Sequence, residues 1–186
     1  MNSYAACKQT ILSELEQSLG AVAPEQTEAL IGEILRARKV FVVGVGRVLL
    51  MLEAFAKRLN HIGVEAYFVG ENNEPAITEQ DLLILGSGSG ESAFPVAISK
   101  VAQKYRPRMA YIGSNLHSSI ASVCDITVRI PCRTKLALPD EIPSAQPMSS
   151  LFEQSLLMYL DTVCLMIVRR QDILIPSLWQ KHANLE

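Results

Sequence analysis

Three serines and three glycines fall within seven consecutive positions, Gly86-Ser87-Gly88-Ser89-Gly90-Glu91-Ser92. Glycine lets a backbone approach an anion closely, and hydroxyls with exposed N–H groups donate to it. The run follows the apolar stretch Leu82–Leu85 and precedes a helical pattern, so the first amides of that helix would point at the same anion. No Gly-Lys-Ser/Thr accompanies it, so the chemistry is that of a phosphate monoester rather than a triphosphate. Capping by Ser92 alone would explain one serine and not three. A second glycine turn, Gly44-Val45-Gly46-Arg47, invites a dinucleotide reading with Glu71 as the ribose acid. Leu49 stands where the third glycine of that fingerprint belongs, so the bare GxG is weak evidence for a dinucleotide and the turn reads more readily as a tight strand-to-helix connection. Arg47 can neutralise phosphate charge or an oxyanion formed during reaction. Three further groups can move protons: Glu153, a suitable single base, and His61 and His182, whose residue type serves as proton donor or acceptor. His117 reads as a loop and helix-cap residue.

These residues need a scaffold. Residues 3–19 carry Ile11, Leu12, Leu15 and Leu19 on one helical face, Gly20 ends that helix, and Pro24 opens a second through residue 37. Short apolar runs at 40–44, 65–70, 82–86, 109–113 and 125–130 read as strands, and helical patterns at 48–61 and 92–105 lie between them. A short helix is expected before the fifth strand. Strands alternating with helices predict a three-layer α/β fold with a five-stranded parallel, doubly wound sheet. Ligands bind such sheets beyond the carboxyl ends of the strands, which directs attention to 44–48, 70–75, 86–92 and 113–117. Residues 131–147 hold four prolines and no periodicity, and a loop of that length is usually functional. Residues 149–170 read as one helix, apolar nearly all round.

The chain has 186 residues, 49% apolar and 19% charged, with a formal net charge of −2. One domain over 1–186 is expected, and no basic excess exists for a nucleic acid. The four cysteines show no paired spacing, and with three histidines no zinc spacing appears, so free thiols in a reducing cytoplasm and no metal are expected. The apolar stretch at 155–168 is short for a membrane span and contains Asp161, so no membrane partner is expected. The apolar surplus is assigned mostly to subunit contacts made by the helices of 3–37 and by 149–186.

Several segments together resemble one family. GVGR (44–47), FAKRLNHIG (55–63), YFVGE (67–71), LLILGSGSGES (82–92), QPMSSLFEQ (146–154) and the ending HANLE (182–186) are similar to sugar isomerase (SIS) domains, and within them to 6-phospho-3-hexuloisomerases. The resemblance implies a flavodoxin-like sheet, a sugar phosphate as substrate, and a tetramer built from dimers. It also implies interconversion of D-arabino-hex-3-ulose 6-phosphate and D-fructose 6-phosphate in the ribulose monophosphate pathway, without metal or nucleotide. Gly46, Arg47, Ser87, Ser89, Glu91 and Ser92 then become the binding residues, and Glu153, His61 and His182 the catalytic ones. Val48 replaces the usual serine of GxGRS, Ser149 the usual glycine of QPMG, and Pro95 enters the first turn after the serine loop. These departures leave two alternatives: an isomerase of another sugar phosphate, such as a pentose 5-phosphate, or a non-catalytic sugar-phosphate regulator.

Overall fold

The computed structural model describes residues 3–185; Met1, Asn2 and Glu186, the last residue of the HANLE ending, lie outside the described residues. In chain order the elements are α1 (Tyr4–Gly20), α2 (Pro24–Arg36), β1 (Val40–Val43), α3 (Gly46–His61), β2 (Ala66–Phe68), β3 (Leu82–Gly86), α4 (Ala93–Ala102), β4 (Arg108–Gly113), β5 (Ile126–Arg129) and α5 (Ser150–Arg170). The short helix expected before β5 is a single 3₁₀ turn, Ala121–Val123.

All five strands pair in parallel, in the order β2-β1-β3-β4-β5. β1 and β3 are buried along their whole length, which is why they read as unbroken apolar runs rather than as alternating ones. Their side chains divide between two cores. Val40, Val42, Leu82 and Ile84 meet α2, α3 and α5 on one face, whereas Phe41, Val43, Leu83 and Leu85 meet the second core, on the α4 side. The chain crosses to opposite faces after β1 and after β3, so the strand order reverses between these two neighbours. The crevice beyond their carboxyl ends is therefore the place where an open sheet binds its ligand.

α5 differs from expectation. Eleven of its 21 residues are buried by the chain's own core, among them Leu151, Phe152, Leu156, Leu160 and Ile167. α3 covers one side and α1 and α2 the others, so most of its apolar surface is satisfied internally. The surplus left for a partner is narrower than the composition implied: Met158 and Leu165 on α5, Tyr4 and Leu12 on α1, and Leu174, Ile175 and Trp179 beyond α5. By length and hydropathy α5 would reach across a bilayer, but over half of that stretch is inside the protein, as in the core helix of a globular fold.

The proline-rich segment 131–147 is well ordered. Cys132 bridges to Ile142, Arg133 N–H donates to the Ile142 carbonyl at 3.0 Å, and Thr134 N–H and Oγ1 both reach Glu141. Glu14 of α1 secures its far end, accepting from Ser144 Oγ, Ala145 N–H and Gln146 Nε2 at 2.7–2.9 Å. Burial pushes the Glu14 carboxyl up, but the three donors win and hold it below the ordinary carboxylate value. A depressed pKa means that this contribution is complete above the unfolded-state value and is lost as pH falls through the folded one. Glu14→Ala is therefore expected to cost about 1–3 kcal/mol at neutral pH. The gap to the parent should close as pH falls through the lowered Glu14 value, as urea midpoints measured from neutral into the acid range would show.

Candidate active site

Three elements converge at the β1–β3 crevice. The first is the serine loop. Ser87 and Ser89 are buried, and each hydroxyl accepts a loop amide: Gly90 N–H to Ser87 Oγ at 3.1 Å, Glu91 N–H to Ser89 Oγ at 3.3 Å. A hydroxyl that accepts an N–H keeps its own proton to donate. Ser92 is the N-cap of α4 yet makes no capping bond; its Oγ lies 3.0 Å from Ser87 Oγ. The amides of the first turn of α4 thus keep their capacity for an anion. Gly90 has φ +68°, and a Cβ there would overlap Ser118. The loop leans on β4 through Tyr111, whose hydroxyl donates to the Ser87 carbonyl at 2.8 Å.

The second element is the start of α3. Gly46 takes φ +57° with open space where a Cβ would point, and Arg47 follows it, exposed. Val48 packs at the base of the serine loop, its Cγ1 3.2 Å from the position of a Cβ on Gly86. The base of the loop is thus lined at this position by a methyl group and offers no hydroxyl.

The third is the start of α5. Phe152 lies against Gly88, 3.4 Å from the position of a Cβ there, which seats the first turn of α5 beside the serine loop. Glu153 is next in the chain, its side chain 12% exposed, and Arg47 Nε stands 2.8 Å from Glu153 Oε2. The Nε–H is not aimed at that oxygen, so this is an ion pair in which Oε2 accepts no hydrogen bond among the described residues. A carboxylate with an unengaged oxygen, facing a guanidinium beside an anion cradle, can take a proton from carbon while the cation follows the charge.

Glu91 is engaged elsewhere. It accepts the Ser119 N–H at 2.7 Å, and that bond holds its carboxyl below the ordinary range, with Lys135 adding to the effect. It braces the loop against 118–120 and would repel a phosphate. The two histidines lie at the other end of α3. Arg47 and His61 are separated by about 21 Å of helix, so His61 cannot reach the Glu153 of its own chain. After α5 the chain forms a short 3₁₀ helix, Ile175–Lys181, and this sets His182 on His61 with ring centroids 5.3 Å apart. Trp179 flanks His182 at 5.2 Å. Arg58 Nη1 is 3.1 Å from His61 Nδ1. A guanidinium only donates, so Nδ1 accepts and the imidazole proton resides on Nε2.

A family model for the SIS domain matches residues 33–160, which includes the serine loop, Arg47 and Glu153. The chain belongs to the SIS domain family. A Bacillus subtilis relative named 3-hexulose-6-phosphate isomerase is 36% identical over 95% of both chains. One of the same name from Mycobacterium gastri is 35% identical over 95% of this chain and 88% of its own. The crystal structure of a Methanococcus jannaschii hypothetical protein, described as inferring a molecular function of 3-hexulose-6-phosphate isomerase, superposes with a TM-score of 0.79 at 30% identity, covering 96% of each chain. The matches extend well beyond the serine loop that marks SIS domains in general.

Two features of this SIS domain escaped sequence reading. Ser114, 1% exposed at the end of β4, donates its N–H to the Gly88 carbonyl at 2.9 Å and supports the serine loop from behind. Thr134 reaches in from 131–147, its methyl 3.3 Å from the position of a Cβ on Gly88. The long proline-rich run signalled a working loop, but nothing in its composition showed which loop it would touch.

Proposed function

We propose that the protein interconverts D-arabino-hex-3-ulose 6-phosphate and D-fructose 6-phosphate through a cis-enediol. The observation that carries this is the Arg47–Glu153 pair seated beside the serine loop, which puts a base and a cation next to a phosphate cradle. The loop holds the phosphate through Ser87, Ser89, Ser92 and the first amides of α4. Glu153 takes the proton from C2 of the 3-ulose while O3 gains one from an acid, giving the enediol. The O2 proton then leaves to the same acid–base group as Glu153 returns its proton to C3. Arg47 follows the negative charge as it passes from carboxylate to enediol oxygen. His61 and His182 are the candidates for the oxygen proton shuttle, with Nε2 of His61 as the donating atom.

The 21 Å of α3 between Arg47 and His61 supports a shared site in which one subunit supplies Glu153 and its neighbour the histidines, within a homotetramer built as a dimer of dimers. The exposed Trp179, Ile175 and Leu174 around the histidines give that end of the molecule an apolar rim. The same reading places the enzyme in the cytoplasm, where its four free thiols are stable.

The test is a substrate panel followed by NMR in D₂O. Fructose 6-phosphate should acquire deuterium at C3 and give the 3-ulose. Exchange at C1 would indicate an aldose–ketose isomerase, turnover of arabinose or ribulose 5-phosphate a pentose enzyme, and tight binding without exchange a regulator. Mixing inactive Glu153→Gln and His61→Asn proteins, with dissociation and reassembly, should restore about a quarter of the parent activity, because random pairing regenerates that share of intact shared sites. No recovery would place both groups within one chain's site.

A further inference from the structure

Charge around the serine loop leaves the phosphate short of a partner. A sugar phosphate monoester brings close to two negative charges at neutral pH. Arg47 is paired with Glu153, so together they contribute almost nothing. Glu91, between Ser89 and Ser92, is a further carboxylate at the loop itself. The α4 N-terminus offers roughly half a positive charge. Arg129 is committed to the Ser114 carbonyl and to Asp140.

Among the described residues two cations outside any ion pair flank Thr134, Arg133 and Lys135, and of the two it is Lys135 whose charge acts on Glu91 at the loop. Thr134 is buried, fixed by two hydrogen bonds to Glu141, and its methyl lies against Gly88. Lys135 follows it directly, so its backbone is anchored beside the floor of the phosphate cradle while its side chain is exposed. Its field is felt at the Glu91 carboxylate, yet among the described residues it closes no ion pair within 4.0 Å. A long, flexible ammonium with an anchored base and no committed partner is suited to close on an arriving anion.

We propose that Lys135, carried by the ordered 131–147 segment, is the cationic partner of the substrate phosphate: it closes over the serine loop and binds the phosphate from the side opposite α3. This rests on the phosphosugar reading above and adds to it a binding residue from a different part of the chain. Lys135 screens Glu91 and supplies the charge that serine hydroxyls cannot. It takes no part in proton transfer, so its effect belongs in binding and not in turnover.

The experiment measures inorganic phosphate affinity by calorimetry, and KM and kcat for fructose 6-phosphate, in the full-length parent, Lys135→Met, Lys135→Gln and Lys135→Arg. Both neutral variants should weaken phosphate binding and raise KM by the same factor, about tenfold or more, and that factor should shrink at high salt. kcat should stay within about twofold, and Lys135→Arg should recover most of the loss. Because Lys135 is exposed, melting temperatures should match the parent, and two neutral variants guard against one misfolding. Equal phosphate affinity in parent and neutral variants would overturn the proposal while leaving the isomerase reading intact. Phosphate binding that depends on Lys135, in a protein that turns over no hexulose phosphate, would uphold the proposal and reject the isomerase. A parent that binds no phosphate would reject the proposal, and turnover of fructose 6-phosphate would then decide the isomerase reading by itself.

Discussion

Glu153→Gln is expected to lower isomerisation by about 10²–10⁴-fold while phosphosugar binding persists. Glutamine keeps the shape of the side chain and still offers Arg47 an acceptor, so the start of α5 and its contact with Gly88 through Phe152 should stand. It loses the basicity needed to take a proton from carbon. The hydrogen bonds of Ser87 and Ser89 run within the serine loop and do not involve Glu153, so phosphate recognition is structurally separate from the base. Binding is even expected to tighten slightly, since one carboxylate fewer faces a dianion and Arg47 is released toward it. Deuterium incorporation at C3 of fructose 6-phosphate, followed by NMR at saturating substrate, reads the chemical step, and calorimetry reads the binding. Glu153→Asp is the companion test. Withdrawing the same carboxylate by about one methylene should itself cost on the order of 10²-fold, because proton transfer from carbon depends on reach. Undiminished exchange in the glutamine protein would remove Glu153 from the mechanism.

How much of this was legible beforehand follows from the range of each interaction. The strands were legible because β1 and β3 are buried on both faces, and burial on both faces leaves an unbroken apolar run. The phosphate loop was legible because its requirements are local: glycines for backbone shape and serines for donors, within seven residues. Arg47 and Glu153 were each legible as chemical types, but their meeting is a tertiary fact, set by α3 and α5 packing side by side. The relation of His61 to Glu153 was hidden for the converse reason. Both fall in segments that look functional, yet α3 is a rod that holds its two ends far apart. Glu91 was grouped with the phosphate ligands because it lies among the serines, and the structure gives it a partner, the Ser119 amide, from a remote segment. Lys135 was missed for the same cause in reverse, since only the folding of 131–147 onto Gly88 brings it near the site. The apolar surplus was assigned to partners because composition counts apolar residues without showing that α1, α2 and α3 already cover most of α5.

Gly90→Ala is expected to destabilise the protein by about 2–5 kcal/mol, combining left-handed backbone strain with a forced contact. The φ of +68° disfavours any L side chain, and the new methyl would overlap Ser118 and approach the Tyr111 hydroxyl at 2.8 Å. Against a domain stability of roughly 5–15 kcal/mol this is a large fraction. Gly90 N–H reaches the Ser87 hydroxyl and carbonyl, and its own carbonyl receives the Ile120 N–H at 3.3 Å. The displacement should therefore pass directly into the phosphate cradle, and phosphate affinity should fall even under conditions where the variant remains folded. The two contributions can be separated. Ser118→Gly removes the overlapped atoms, and with them the bond of the Ala121 N–H to Ser118 Oγ and the Ser118 contact with the Tyr111 hydroxyl. In the double variant the overlap with Ser118 disappears while the Tyr111 contact and the backbone part remain, so the combined loss in urea unfolding should be smaller than the sum of the single losses. Strict additivity would mean that Ser118 moves aside freely and that dihedral strain alone requires glycine at this position. Coupling of a kilocalorie or more, accompanied by recovery of phosphate affinity, would mean that the serine loop keeps its shape by packing directly against residue 118.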